Sequence, residues 1–149
     1  MEYQDDIIVE ILKNSHTIAI VGLSPIEDKP SNRVTVYLQK AGYRIIPVNP
    51  GHEEILGEKS YKSLSAIPEK VDIVDIFMRS EKVVPIVEEA ITLKPRCIWL
   101  QLGIKSEEGK AIAEKHNTAF IMDKCIKQEH ERLMKSSEGC ADIPPEPMS

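Results

Sequence analysis

The segment at residues 18–34, IAIVGLSPIEDKPSNRV, contains residue types that bind anions. An apolar run ends at Gly22, and the basic residues Lys29 and Arg33 follow in the polar half of the segment. Backbone N–H groups at the start of a helix attract a phosphate, and basic side chains beside them add charge-assisted hydrogen bonds. The segment therefore predicts a phosphate-binding loop, with a solvated surface charge as the alternative for each basic residue.

This loop differs from the turn that binds dinucleotides. That turn reads G-x-G-x-x-G, whereas here Gly22 is followed by Ser24, Pro25 and Glu27. At the end of the next strand an NAD domain has Asp or Glu on the ribose hydroxyls, and this chain has Asn49 followed by proline. These departures disfavour NAD, while the basic residues of the loop leave NADP open.

Phe77, Met78 and Arg79 follow the third predicted strand and combine an aromatic ring, a thioether and a cation. An adenine ring could stack on the aromatic side chain, and a phosphate could pair with the arginine. The alternative is a core phenylalanine next to a surface arginine.

Trp99 and Gln101 lie two residues apart in the fourth predicted strand and therefore share one face. A buried glutamine needs a hydrogen-bond partner, and we expect a ligand to provide it, with Gly103 leaving room for the ligand to approach the backbone. Cys125 follows the fifth predicted strand. A mixed disulfide with a thiol ligand is one hypothesis for this cysteine, and an inert structural role is the simpler one.

Strand-like and helix-like segments alternate along the chain, which predicts an α/β fold with a mainly parallel five-stranded sheet covered on both faces. Ligands bind such sheets outside the carboxyl ends of the strands, where the strand order reverses. The predicted strands are at 17–22, 43–48, 71–77, 96–103 and 118–123, and the predicted helices are at 3–14, 31–39, 80–93, 106–117 and 126–134. We expect Ser31 or Asn32 to cap the second helix. A short strand at 60–62 and a helical turn at 64–67 complete the prediction.

The composition fits one domain. The chain has 149 residues, of which 42% are hydrophobic, and we assign residues 1–135 to a single domain and residues 136–149 to a flexible tail. The formal net charge of −5 disfavours nucleic acid and membrane surfaces as partners. No apolar run is long enough to cross a membrane, so we expect a soluble protein.

The three cysteines and four histidines lack the spacing of disulfide frameworks or zinc sites. No Ser-His-Asp arrangement or P-loop is visible either. We therefore expect a cytoplasmic protein with reduced thiols and without catalytic or metal-binding residues. The apolar face of the first helix, which contains Ile7, Ile8, Ile11 and Leu12, is a candidate homodimer contact.

Six segments of the chain match one known family when they are taken together. They are IAIVGLSPIEDKPSNRV, AGYRIIPVNP, ILGEKSYKSLSAIP, VDIVDIFMRSE, IWLQLGI and MDKCIKQEHERL. They resemble the small stand-alone CoA-binding proteins, which are related to the N-terminal CoA-binding domain of the succinyl-CoA synthetase alpha subunit. The resemblance implies a Rossmann-like three-layer α/β/α fold that binds coenzyme A or an acyl-CoA. The extended, bent form of CoA does not require the G-x-G-x-x-G turn.

The resemblance also implies which residues hold the ligand. The implied set is Gly22, Leu23 and Ser24 in the first loop, Lys29, Ser31 and Arg33 at the phosphates, Val48, Asn49 and Pro50 at the nucleotide end, Phe77 and Arg79 beside the adenine or its phosphates, Gln101 and Gly103 at the pantetheine, and Met122 and Cys125 at the rim.

The synthetase needs two further parts: a domain with a phosphorylated histidine and a partner subunit that binds nucleotide and substrate. This chain ends soon after the CoA-binding segment, so we expect a non-catalytic carrier, sensor or thiol-protecting module. The main alternative is an NAD(P)-binding oxidoreductase or redox sensor on the same fold. A third possibility is a vestigial site in a domain that works through protein contacts. Free CoA, an acyl-CoA and a CoA disulfide all remain open as ligands.

Overall fold

A computed structural model describes residues 5–135, which form a five-stranded sheet in the order β2-β1-β5-β6-β7. All neighbouring strands in this sheet are parallel. The sheet strands are β1 (Thr17–Val21), β2 (Arg44–Val48), β5 (Ile73–Ile76), β6 (Cys97–Leu100) and β7 (Ala119–Ile121), and a separate antiparallel hairpin consists of β3 (Glu54–Ile55) and β4 (Glu58–Lys59). The predicted parallel five-stranded α/β fold is confirmed.

Helices cover both faces of the sheet. The helices are α1 (Asp5–Asn14), α2 (Pro30–Lys40), α3 (Val83–Ile91), α4 (Glu107–Lys115) and α5 (Ile126–His130), with single 3-10 turns at Leu64–Ala66 and Ser80–Lys82 and a π-helical turn at Glu131–Lys135. One core lies between the sheet and α3 with α4, and the other lies between the sheet and α1, α2 and α5. The molecule therefore has the three layers that the sequence predicts.

The central strands are apolar on both faces because both faces are covered. Every residue of β1, β5 and β6 is buried, as is typical of parallel strands between two helix layers. Trp99 on β6 lies in the core beneath α1, α2 and α5, and its indole Nε1–H donates to the Lys124 carbonyl at 2.8 Å. Trp99 is therefore a core residue.

The start of α2 differs from the prediction. The N-cap is Lys29 and Pro30 occupies the first turn, so the expected cap at Ser31 or Asn32 is wrong. Proline is favoured at this position because its φ angle is already helical and its missing N–H would be unpaired anyway. The side chains of Ser31 and Asn32 instead bond to Ser24 in the preceding loop.

Other differences are local. The expected strand at 60–62 is reduced to an isolated bridge between Val48 and Tyr61, and the β3–β4 hairpin precedes it. Three residues of the apolar α1 stripe, Ile8, Ile11 and Leu12, pack into the chain's own core, and the homodimer stays a prediction. The predicted helix start at residue 3 and the predicted tail at 136–149 lie outside the described residues. Among residues 5–135, every helix is too short or too polar to cross a bilayer.

Candidate functional site

The loops after β1, β2 and β5 meet at the carboxyl edge of the sheet. From β1 the chain moves to β2 on one side and then returns to β5 on the other, so the strand order reverses at β1. The Gly22 N–H donates to the Val48 carbonyl at 3.0 Å, and the Phe77 N–H donates to the Val21 carbonyl at 2.9 Å. The reversal point, where ligands bind in such sheets, is therefore built from these three loops.

Gly22 is required by the close approach of two loops. Its φ angle is +86°, and a Cβ atom built on it would lie 2.6 Å from the Phe77 carbonyl oxygen and 3.1 Å from the Met78 sulfur. A side chain at this position would force the loop after β5 away. The single glycine of the first apolar run thus fixes the spacing between β1 and β5.

The first loop, residues 22–29, is held by its own hydrogen bonds. The Ser24 N–H donates to Ser31 Oγ at 3.0 Å, and Asn32 Nδ2 donates to the Ser24 carbonyl at 2.9 Å. Asn49 Nδ2 donates to the carbonyl of the fully buried Leu23 at 2.9 Å, which ties the loop to the end of β2. These bonds fix the loop conformation before any ligand arrives.

Two cations stand at the start of α2. Lys29 and Arg33 are both exposed, and neither forms an ion pair within residues 5–135. They are one helical turn apart, so their side chains project from neighbouring positions. The structure places them together beside the first loop, as a phosphate site would require.

A cleft of about 550 Å³, which we call the larger cleft, opens between α2 and the loops after β5, β6 and β7. It contains four of the predicted site residues, Phe77, Arg79, Gln101 and Cys125. Met78, noted in the sequence beside Phe77, lines it as well, and the sequence reasoning missed Pro30, Val34, Leu102, Ile104 and Gln128. Most of these are apolar, and an apolar side chain in a loop carries no signal of ligand contact in the sequence.

Gln101 is buried at the edge of the larger cleft, and the protein itself provides a hydrogen-bond donor for its side-chain oxygen. Its Oε1 accepts the Ile126 N–H at 3.2 Å. The expectation that a ligand provides the partner of this glutamine is therefore wrong for the side-chain oxygen. The bond fixes the amide group beside the first turn of α5 and Cys125.

A second cleft, the smaller cleft, has a volume of about 360 Å³ and lies on the α3 side of the sheet edge. It is lined by the predicted residues Gly22, Val48, Asn49 and Pro50. Val21, Lys62, Ser63, Leu64, Ile86 and Glu89 also line it and were missed by sequence reasoning, and Met78, noted in the sequence beside Phe77, completes the lining. The smaller cleft contains both signs of charge and shares Met78 with the larger cleft.

Gly103 and Met122 lie near the site and line neither of the two clefts. The Gly103 N–H donates to Asp123 Oδ1 at 2.8 Å, and a Cβ atom on Gly103 would have no neighbour within 4 Å. Its φ angle of +85° explains the glycine. This hydrogen bond and the nearby Lys105 ammonium lower the pKa of Asp123. Met122 packs against the core under α3 and α4.

Asp75 is a buried acid next to β1 in the sheet. It lies in the middle of β5, is fully buried, and both of its carboxylate oxygens lack a hydrogen-bond partner among the described residues. Burial raises the pKa of Asp75 well above its ordinary value, because it disfavours the charged form. Burial, together with Asp75, also raises the pKa of the Cys97 thiol. A lone acid inside the apolar run VDIVDIF is the sequence signal for this residue.

Among the described histidines and cysteines, only Cys125 lines one of the two clefts. His130 Nδ1 pairs with the Tyr37 hydroxyl at 2.7 Å on the face of α2 and α5, and neither cleft is lined by a histidine. Within residues 5–135, no three side chains of His, Cys, Asp or Glu are grouped so that they could hold a metal ion.

Comparison with known proteins gives consistent matches. The family model described as "CoA binding domain" matches residues 16–131. An uncharacterized protein of Bacillus subtilis, YneT, is 42% identical over 83% of this chain and 91% of its own length. The solved structure of a hypothetical protein from Pyrococcus horikoshii has a TM-score of 0.86 and 36% identity and covers 89% of this chain and 93% of that chain. An ADP-forming acetate–CoA ligase of Archaeoglobus fulgidus is 38% identical over 48% of this chain. The aligned segment makes up only 10% of the ligase.

Proposed function

Because the matched segment covers residues 16–131, the chain belongs to the CoA-binding domain family, and we propose that it binds coenzyme A or an acyl-CoA across the carboxyl ends of β1, β5 and β6. The observation that carries the proposal is the pair of clefts that share Met78 above Gly22. A long, bent ligand such as CoA can occupy both clefts at once, with its middle part crossing between them.

The nucleotide end fits the smaller cleft. Asn49 and Pro50 line this cleft together with Lys62, whose ammonium group is suited to a phosphate. Both polar atoms of the Asn49 side chain are already bonded, the Oδ1 to the Gly51 N–H at 2.8 Å and the Nδ2 to the Leu23 carbonyl. We therefore assign Asn49 the role of fixing the cleft wall, and Lys62 the role of the cation.

The phosphates cross the first loop. Ser24 and Ser31 hold that loop through the bond between them, and Lys29 and Arg33 stand exposed at the start of α2. Arg79 lies across the larger cleft with 76% of its side chain exposed. Arg79 lines the larger cleft, and Lys29 and Arg33 are the chain neighbours of its lining residues Pro30 and Val34. Cations in these positions suit the polyanionic middle of CoA.

The pantetheine end fits the larger cleft, whose lining is mostly apolar. Phe77 offers a ring, Gln101 an amide group, and Cys125 a thiol at the base of α5. Gly103 and Met122, the remaining members of the set predicted from the sequence, support this end through the loops after β6 and β7. The amide groups of pantetheine are neutral, so a cleft with little charge is suited to them.

We assign the chain a non-catalytic role as a carrier, sensor or thiol-protecting module in the cytoplasm. Among the described residues that line the two clefts, Glu89 of the smaller cleft carries the one carboxylate, and it accepts hydrogen bonds from Ser65. Acid–base chemistry needs a titratable group within reach of a reacting atom, and the lining residues favour binding instead.

Calorimetric titration of the reduced protein with CoA, acetyl-CoA, NAD and NADP tests the proposal. We expect saturable binding of CoA and acetyl-CoA and none of NAD or NADP. The substitution Gln101→Ala should weaken CoA binding about tenfold because it removes the group that fixes the cleft edge. Gln39→Ala is the matched control, since Gln39 lies on α2 and bonds to the Leu56 carbonyl away from both clefts. Tight NADP binding without CoA binding would contradict the proposal.

A further inference from the structure

Two exposed apolar side chains lie in loops at the carboxyl edge of the sheet. The large hydrophobic side chains that are most exposed within residues 5–135 are Leu102 at 61%, Ile26 at 56% and Ile7 at 40%. Leu102 is in the loop after β6, and Ile26 is in the first loop after β1. Apolar side chains exposed beside a cleft mark a surface that an apolar group covers when bound.

The lining of the larger cleft has the same character. Pro30 and Val34 line it from α2, and Leu102 and Ile104 line it from the loop after β6. Among its described lining residues, Arg79 alone carries a charge, and its guanidinium lies 3.5 Å from Glu81. In contrast, the smaller cleft contains both Lys62 and Glu89.

The order of residues along β6 and its loop places the apolar surface next to the thiol end of the ligand. Gln101 and Cys125 lie together through the bond from the Ile126 N–H to Gln101 Oε1. Leu102 follows Gln101 directly, and Ile104 lines the same cleft. A group attached to the sulfur of a pantetheine that ends at Gln101 would therefore lie against Leu102 and Ile104.

We propose that the ligand class of this site is a CoA thioester with a short, unbranched, apolar acyl chain that covers Leu102 and Ile104. This inference rests on the CoA binding proposed above. Water-exposed free CoA would leave the apolar surface uncovered. A dicarboxylic acyl group would bring its charged end into an apolar cleft, where losing hydration is unfavourable.

Chain length is the direct test. Burying one methylene group fully strengthens binding about fourfold, and a partly open rim reduces that to about twofold to threefold. Calorimetric titration should therefore show butyryl-CoA binding about fivefold tighter than acetyl-CoA. Succinyl-CoA should bind at least about fivefold more weakly than butyryl-CoA because of its terminal carboxylate.

Two variants locate the effect. Leu102→Asn should reduce the ratio between butyryl-CoA and acetyl-CoA affinity from about five to below about two. Ile7→Asn is the matched control, because Ile7 is an exposed isoleucine on α1, which packs on one face of the sheet and lines neither cleft. It should leave that ratio unchanged. Both positions are solvent-exposed, and thermal melting of each variant verifies that it folds.

The outcomes separate this inference from the proposed function. Equal affinities for CoA, acetyl-CoA and butyryl-CoA would overturn the acyl-chain inference and leave CoA binding in place. Tighter binding of succinyl-CoA than of butyryl-CoA would overturn it too and would point to Arg79 as a carboxylate site. A ratio that Leu102→Asn leaves at five would also overturn it. Absence of binding by every CoA compound would remove the proposed function itself.

Discussion

The strands β1 and β5 lie side by side, and their polar groups are used in opposite ways. In the loop after β1, Ser24 bonds to Ser31 and Asn32, so the loop is closed on itself. On β5, both oxygens of Asp75 lack a partner among the described residues. In the loop after β5, the Met78 side chain faces both clefts instead of bonding within the loop.

The difference indicates two roles: the loop after β1 is a preformed support for the ligand, and the loop after β5 is a surface that contacts it. A loop fixed by its own hydrogen bonds loses little conformational entropy when a ligand binds, which increases affinity. The loop after β5 contributes side chains to the two clefts and approaches the first loop closely at Gly22. We infer that the first loop is a preformed support over which the phosphates pass, and that the loop after β5 contributes side chains that contact the ligand in both clefts.

The closest approach between the two loops gives the largest expected effect. Gly22→Ala should lower the free energy of unfolding by about 3 kcal/mol, because the new methyl group combines an unfavourable positive φ angle with a clash against the Phe77 carbonyl. Gly103→Ala has a nearly identical φ angle and no neighbour within 4 Å of its Cβ atom, so it should cost about 1 kcal/mol. Urea denaturation measures both. Equal losses would mean that the close approach is not the reason for the glycine.

The unpartnered acid of β5 predicts a dependence of stability on pH. Because burial raises the pKa of Asp75, the folded protein keeps a proton that the unfolded chain releases. The free energy of unfolding should therefore fall as the pH rises from the ordinary pKa of aspartate towards the raised folded value, with a slope of at most about 1.4 kcal/mol per pH unit. Asp75→Asn should remove this slope in urea denaturation at a series of pH values. Parallel profiles for the two proteins would contradict the neutral acid.

Arginine substitutions distinguish the contact surface from the opposite end of the sheet. Arg79→Ala should weaken CoA binding about tenfold, because a charge-assisted hydrogen bond to a phosphate is lost. Arg96→Ala is the control, since Arg96 precedes β6 at the amino end and lies 3.8 Å from Asp72. Calorimetric titration compares the two variants. The same loss of affinity in both would indicate a general charge effect instead of a contact.

The smallest expected effect concerns the hydrogen bond between Ser24 and Ser31 that holds the first loop. Ser31→Ala leaves the Ser24 N–H without its acceptor and should lower the free energy of unfolding by about 1 kcal/mol. Thr92→Ala removes an exposed hydroxyl that donates to the Glu89 carbonyl and should cost less than about 0.5 kcal/mol. Thermal unfolding measures both variants. A Ser31→Ala variant as stable as the parent would mean that the first loop is not held in this way.

The fold was predictable because its signals are local. Apolar runs such as VDIVDIF alternate with amphipathic segments, and the burial of whole strands on both faces follows from that alternation. The cap of α2 was not predicted correctly, because the choice between Lys29 and Ser31 depends on a bond to Ser24 across the loop.

The site was only partly predictable because its contacts are distant in sequence. Residues at strand ends such as Phe77 and Gln101 follow from the rule that ligands bind at carboxyl edges. Lys62 was missed, because it follows a hairpin whose two strands have two residues each, too few to show hydrophobic periodicity. The hydrogen bond between Gln101 and Ile126 joins the end of β6 to the start of α5, and no pattern in the sequence indicates that these two elements lie close together.

The most direct test of the account is to map CoA binding on the backbone amides by NMR. Addition of CoA to the isotope-labelled protein should shift the amides of residues 77–79, 101–104 and 125–128 together with those of residues 49, 51 and 62–64. These segments line the two clefts. Shifts confined to the face where Tyr37 pairs with His130, or no saturable shifts at all, would contradict the central claim that the ligand spans both clefts above Gly22.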